Sequence, residues 1–519
     1  MNENLRALAF ILVLTVPVLV LARRPMCGLA MNEDDFVRRR ALWIGLTVAA
    51  FVLHDFWLYA LVAVLALAFY GSKDSNPLAL FLVLLFAVPS AIVAKVSGLG
   101  LINFLVDVNH IRILSLVLLL PVCMKARLQA NHVPFGRTLA DLLLISYLAL
   151  ELTLQGLTDS VTNTARSAVY AWIDVLLPYY AASRTIRSVR QFRDVFMALV
   201  LAAALLAVVA MFEYVKNWLL YWGLAASMGL GVVSGQYLMR GDALRAIAST
   251  GHALVLGYVM MMSIGLYWYA SRAIQSKAFR GLGWAVLLTG LLVTWSRGPW
   301  LGTVFAALVI LLTGPQKLRH LGRASAVGIP VLAMVLVSPM GGKLIDMLPW
   351  VGSVDEFSVT YRQRLFDVSI DVILANPVFG SFDYLALPEM RQLIQGEGII
   401  DIVNSYIGVA LSYGLTGLAL FVGFFASVAW PIKRALRANA SNEDVRDLGR
   451  ALLATLLAVL FTIATVSSIG AIPTLYWILA GLCVAYRKAF GRVPGERPVD
   501  ARSVADHGLY GRKESLRTR

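Results

Sequence analysis

Residues 196–212 read Phe-Met-Ala-Leu-Val-Leu-Ala-Ala-Ala-Leu-Leu-Ala-Val-Val-Ala-Met-Phe. None of these side chains carries a charge, a hydroxyl or an amide. A run of this kind approaches the ~20 residues that a helix needs to cross hydrocarbon. The pattern recurs along the chain in about fifteen apolar segments, several of them shorter than a full span. They cover 5–22, 41–53, 56–71, 77–94, 111–124, 138–154, 168–183, 196–215, 252–270, 281–296, 299–313, 325–340, 402–431, 450–468 and 472–486. The short pair 41–53 and 56–71 turns at His54-Asp55. Gly298-Pro299 interrupts another pair, and Pro299 suits the first turn of a new helix. Over 519 residues, 59% are hydrophobic and 14% charged, and the mean hydropathy is +0.75. Soluble chains carry about a quarter charged residues, so a cytosolic enzyme is excluded, as are a disordered chain and a disulfide scaffold. The expected fold is an all-α polytopic integral membrane protein with about 13–15 transmembrane helices.

The net charge of +15 would point to nucleic acid on a soluble chain, whereas on a membrane chain it reports topology. With loops 23–40, 71–76, 125–137, 184–193, 271–280, 314–323, 433–450 and the tail from 487 on the cytoplasmic side, 33 of the 45 basic residues lie there. The N-terminus is then periplasmic and the C-terminus cytoplasmic. No cleavable signal is read: Arg23-Arg24 follow the first apolar run rather than precede it, so that run is expected to be an N-out anchor. Cys27, Cys123 and Cys483 all fall on the cytoplasmic side, where thiols stay reduced.

The division expected is an N-terminal transmembrane part over 1–340, a long periplasmic loop over 341–401, C-terminal transmembrane helices over 402–487, and a basic, disordered cytoplasmic tail over 488–519. The loop contains a predicted amphipathic helix at 358–375, stopped by Asn376-Pro377 and Gly380. A structured loop of this length is usually functional or a lid. A second outer segment runs from Lys216 to Gly251.

Positive charge is scarce on the outer side, which draws attention to Arg166, Arg240, Arg245, Arg297, Arg362, Arg364 and Arg391. Arg297 either snorkels to the interface or, beside a fresh helix N-terminus, forms an anion site. Arg364, Asp367 and Asp371 share a helix face, which a salt-bridged surface would explain. Asp401, Asn404 and Ser405 open the last long apolar segment, either as a helix cap or as a carboxylate and amide that accept a proton from a hydroxyl. Glu397 is a second carboxylate candidate. Asp174 and Glu213, in or beside apolar segments, have either an arginine partner or a proton-coupling role. His54, His110 and His252 have no metal-ligand spacing, so neither a metal nor another cofactor is expected.

Several stretches together resemble the O-antigen ligase and Wzy-type polysaccharide polymerase superfamily, over residues from about 100 to 485. They are Thr294-Trp-Ser-Arg297-Gly298-Pro-Trp-Leu-Gly302, Arg364 followed by Asn376-Pro377-Val-Phe-Gly380, and Asn404-Ser-Tyr406 followed by Gly414-Leu-Thr-Gly417. Leu238-Met-Arg240 with Arg245 and Gly251-His252, and Asp174 with Pro178-Tyr179-Tyr180 and Ser183-Arg184, are similar to further family segments. One position departs: Val403 occupies the place of a histidine that ligases carry, and Asp401 is its candidate replacement.

The resemblance implies a GT-C-like glycosyltransferase of the bacterial inner membrane with a periplasmic active site. It implies polymerisation of undecaprenyl-pyrophosphate-linked oligosaccharide repeat units into exopolysaccharide or O-antigen-like polymer, by metal-independent inverting transfer. Asp401 and Asn404 would be catalytic. Arg297, Arg240, Arg245, Arg362, Arg364 and His252 would hold the pyrophosphate and glycan. A chain-length regulator and export machinery are candidate partners beside the bilayer, and nucleic acid is not. Two alternatives stand: transfer of the lipid-linked glycan to another acceptor, as in O-antigen ligases, and a precursor flippase.

Overall fold

In hydrocarbon every backbone N–H and C=O must be satisfied within its own segment, so long apolar runs become helices. The computed structural model describes residues 3–315, 322, 326, 356–394 and 400–491, apart from 29, 99, 101–102, 129–133, 231–236 and 241–242; the side chains of 356–359 are also left out. The helices are α1 (Glu3–Met26), α2 (Glu33–Val52), α3 (Phe56–Phe69), α4 (Pro77–Leu84), α5 (His110–Leu114), α6 (Leu120–Arg127), α7 (Leu139–Thr158), α8 (Val161–Tyr170), α9 (Leu177–Thr185) and α10 (Val189–Lys216). They continue as α11 (Leu224–Ser227), α12 (Ala253–Ala270), α13 (Lys277–Leu292), α14 (Arg297–Thr313), α15 (Glu356–Ala375), α16 (Pro388–Arg391), α17 (Ser405–Ala438), α18 (Glu443–Ile463) and α19 (Ile472–Phe490). Six stretches among the described residues are long and apolar enough to cross a membrane: Glu3–Met26, Phe56–Lys73, Leu139–Thr158, Val189–Lys216, Ala253–Ala273 and Ser405–Ala438. Arg297–Thr313 is a shorter apolar helix. The expected segment at 325–340 lies outside the described residues.

Helices α10 and α12 form the centre. They are 78% and 89% buried over their most apolar windows, and they pack on each other and on α13. Burial on all sides explains why neither has a polar face.

The turn expected at His54-Asp55 is present. α2 ends at Val52, His54 takes φ +50°, and the Asp55 carboxylate caps α3 by accepting from Leu58 N at 2.7 Å. Two boundaries differ from expectation. The first half of α2, from Glu33, occupies what reads as a basic loop. The 77–94 segment is not one helix: α4 stops at Leu84, and Val93–Ser97 (β1) pairs antiparallel with Phe104–Asn109 (β2). β-branched residues at 93, 96, 106 and 108 favour that pairing.

One end of the bundle is laced by buried ion pairs. Arg39 bridges Asp74 at 2.7 Å and Asp194 at 2.6 Å, Arg184 pairs with Asp141 at 2.5 Å, and Arg450 with Asp447 at 2.6 Å. The end of α19 lies there, with Phe490 against Phe192. The start of α1 lies at the opposite end, where Arg6 covers the Trp218 ring. The candidate site is at that opposite end.

Candidate functional site

A small hairpin carries two of the arginines. Met239–Arg240 (β3) pairs antiparallel with Ala243–Leu244 (β4), and Arg245 N donates to Leu238 O at 2.9 Å. Both guanidiniums reach the turn between α13 and α14. Arg240 Nη1 donates to Trp295 O at 2.9 Å. Arg245 Nη2 donates to Ser296 Oγ at 3.1 Å and its Nε to Thr294 O at 3.4 Å. That turn is tight: Trp295 takes φ +48°, a conformation that costs a non-glycine residue about 1–3 kcal/mol. Arg297 then opens α14, with Pro299 in its first turn as expected. Two arginines of one hairpin and a third some fifty residues along the chain thus meet at one helix N-terminus, where backbone amides and the helix dipole favour an anion.

Asp401 meets this turn through a third segment. A Cβ on Gly298 would fall 2.7 Å from Thr465 Oγ1 and 3.0 Å from Val466 Cγ1, so α14 starts directly against the connector between α18 and α19. In the same connector Ser467 Oγ donates to Asp401 Oδ1 at 2.5 Å. Ser405 Oγ donates to Val466 O at 3.0 Å and shares a hydrogen bond with Ser468 Oγ at 2.7 Å. From the loop helix, the Tyr361 hydroxyl donates to Asp401 O and accepts from Asp401 N, each at 3.1 Å.

The two readings of the Asp401-Asn404 segment separate. Asn404 is the cap of α17, its Oδ1 accepting from Tyr406 N at 2.9 Å and Ile407 N at 3.2 Å. Asp401 is not a cap; its carboxylate turns to Ser467 and is half-buried. Among the described residues, of the Asn404 side-chain atoms only Oδ1 is seen to bond, to Tyr406 N and Ile407 N.

His252 is within electrostatic reach of both Arg245 and Asp401. Its Nδ1 accepts from Leu254 N at 3.1 Å, capping α12. Burial, and then Arg245, hold the imidazole down to about 4, against the opposing pull of Asp401. The ring is therefore neutral near pH 7. With Nδ1 accepting, the proton is on Nε2, which makes His252 a hydrogen-bond donor rather than a base.

The long loop is locked to α17. Ser381 N donates to Leu411 O at 2.7 Å, and Leu415 N donates to Pro377 O at 2.8 Å, while α17 breaks at Gly414 with φ +66°. Leu365, Val372 and Ile373 of α15 pack with Ala410 and Leu411 of α17. Val403 joins this apolar cluster.

Other expected residues are placed elsewhere. Arg362 and Arg364 are exposed on α15, and Arg364 forms no ion pair with Asp367 or Asp371 among the described residues. Arg166 anchors β2 by donating to Phe104 O at 2.6 Å and Leu105 O at 3.0 Å. Asp174 has an arginine partner, Arg112, at 2.7 Å. Glu213 accepts backbone N–H bonds. His110 is buried against Tyr59 OH and Leu84 O, and His54 is exposed. Glu397 lies outside the described residues. Sequence reading missed Ser467 and Tyr361; the polar pair Ser467-Ser468 inside an apolar run was the available signal.

Residues 282–422 match a family model described as O-Antigen ligase. The match supports the O-antigen ligase and Wzy-type superfamily for this chain and covers Arg297, the loop helix, Gly380, Asp401, Asn404 and Gly414. A search of the curated proteins finds no match. The matched stretch does not include Arg240, Arg245, His252 or Ser467; the fold brings these to it.

Proposed function

We propose that this membrane protein polymerises undecaprenyl-pyrophosphate-linked oligosaccharide repeat units by metal-independent, inverting glycosyl transfer, in a GT-C-like fold of 13–15 spans. The observation that carries this reading is the convergence of Arg240 and Arg245 on the turn that Arg297 closes, against the connector that holds Asp401. A lipid pyrophosphate is the leaving group such a cradle suits, because guanidinium forks match phosphate oxygens and the helix dipole adds to them.

In this mechanism the acceptor hydroxyl oxygen attacks the anomeric carbon on the face opposite the leaving group. The bond from that carbon to the phosphate oxygen breaks, and the pyrophosphate leaves with the electron pair, stabilised by Arg297, Arg240 and Arg245. Asp401 takes the hydroxyl proton. Asn404 and His252 Nε2–H donate to substrate oxygens. The described part of the loop, 356–394, would cover donor and acceptor, with Arg362 and Arg364 presented to them from α15.

Val403 supports polymerase over ligase, since the side chain standing in the place of the ligase histidine belongs to an apolar cluster. The active site would face the periplasm of a bacterial inner membrane, with the N-terminus on that side and the C-terminus in the cytoplasm, consistent with the ion-paired basic end opposite the site.

The test is the glycan that accumulates when the protein is removed from its cell. Single lipid-linked repeat units support the polymerase. Finished polymer on its lipid carrier would indicate a ligase, and unflipped precursor a flippase.

A further inference from the structure

Glu213 is fully buried near the end of α10, and the chemistry above makes no use of it. Its Oε2 accepts from Ile247 N at 3.1 Å and from Ala248 N at 2.8 Å, and its Oε1 accepts from Leu220 N at 3.0 Å. A buried carboxylate is costly unless hydrogen bonds satisfy it, and here three backbone donors do so. All three belong to the segment that follows α10. Two of them come two and three residues after Arg245, at a point where Ala248 takes φ +47°. That conformation is unfavourable for alanine and persists only where surrounding contacts enforce it.

On the other side of the same short stretch, Ala246 N donates to Val293 O at 3.2 Å, and Arg245 reaches Ser296 and Thr294. Residues 245–248 are therefore held from two directions, by Glu213 and by the turn before Arg297. The geometry points to Glu213 as a positioning residue whose carboxylate fixes the backbone after Arg245 and so aims the guanidinium at the turn that opens α14. The inference rests on the reading of that turn as the pyrophosphate cradle. It differs from proton coupling, because the carboxylate serves as an acceptor and does not need to titrate.

The experiment compares Glu213→Gln and Glu213→Ala with the native protein in purified proteoliposomes. Glycan transfer from a lipid-pyrophosphate donor is measured alongside amide hydrogen exchange over 238–251, both per amount of folded protein. Glutamine keeps one carbonyl oxygen for Ile247 N and Ala248 N and loses the acceptor for Leu220 N. The expected result is that Glu213→Gln retains most activity. Glu213→Ala should lose about tenfold or more in kcat/KM, equivalent to about 1.4 kcal/mol of transition-state stabilisation. Exchange at 247–248 should rise in Glu213→Ala and little in Glu213→Gln. Glutamine as inactive as alanine would indicate a titrating role and overturn the inference. Unchanged exchange at 247–248 in Glu213→Ala would overturn it as well, and so would unchanged kcat/KM. If Glu213→Ala does not fold, Glu213→Asp replaces it, since its shortened carboxylate should also free the 247–248 amides. If the native protein transfers no glycan, the proposed function fails, while the exchange measurement still decides whether Glu213 holds this backbone.

Discussion

Gly380 and Gly414 meet backbone to backbone. Both have positive φ, +69° and +66°. A Cβ on Gly380 would fall 2.4 Å from Gly414 N, and a Cβ on Gly414 would fall 2.4 Å from Val378 O. The loop segment at 376–381 enters the break in α17 and exchanges hydrogen bonds with it. Broken helices survive at membrane depth only where other protein groups satisfy the freed backbone. Either glycine changed to alanine has to push this contact apart as well as hold a left-handed conformation, so a cost of about 1–3 kcal/mol or more is expected. Gly380→Ala and Gly414→Ala should each lower the melting temperature and reduce transfer, measured on purified protein. Unchanged melting and activity in both variants would mean that the loop does not depend on this lock.

Ser467 and Tyr361 hold Asp401 by its side chain and its backbone respectively. Asp401→Asn is expected to abolish transfer at normal membrane abundance. Ser467→Ala removes a hydrogen bond to a charged group, worth about 1.5–3 kcal/mol, and should slow transfer by roughly one to two orders of magnitude. Tyr361→Phe should have a smaller effect in the same direction. Rates from initial polymer formation check all three, and a fully active Asp401→Asn would remove it as the base.

Arg245 bonds two different oxygens on the turn before Arg297, a geometry that a lysine ammonium cannot reproduce. Arg245→Lys and Arg240→Lys should both leave transfer well below the native rate, with a tenfold deficit as a rough expectation. Full activity in either lysine variant would argue for simple charge rather than fork geometry.

His252 gives a pH signature. Its folded value of about 4 lies below the ordinary 6.5, so the unfolded chain binds more protons between those values. Stability should therefore be full above about pH 6.5 and fall as the pH drops toward 4, by roughly 3–4 kcal/mol at most. His252→Asn keeps a good capping side chain and should flatten that acid limb in melting curves. In the native protein no rate change near pH 6.5 should trace to this ring; one that vanished in His252→Asn would contradict the lowered imidazole pKa.

Much of this architecture was legible because hydropathy is local. The loop helix expected at 358–375 is found at Glu356–Ala375, whereas the break expected at Gly298-Pro299 falls just before it, at 293–296, and both residues lie in the first turn of α14. Arg240, Arg245 and Arg297 were legible from charge scarcity on one side. Their convergence was not, because it depends on a β-hairpin packing against a turn some fifty residues away in sequence. Ser467 was missed for the same reason: its partner Asp401 is 66 residues distant. The β1–β2 hairpin was hidden because its first strand continues an apolar run, where periodicity does not separate helix from strand.

In the proposed mechanism this arginine-lined turn activates a lipid pyrophosphate for glycosyl transfer. The most direct measurement reconstitutes the purified protein in liposomes with undecaprenyl-pyrophosphate-linked repeat units and a chelator present, and follows both product length and anomeric configuration. The expected result is lipid-linked polymer with inverted linkages from the native protein and none from Arg297→Ala at equal reconstitution. Movement of the lipid-linked glycan across the bilayer with no new glycosidic bond, or full polymer synthesis by Arg297→Ala, would contradict the account.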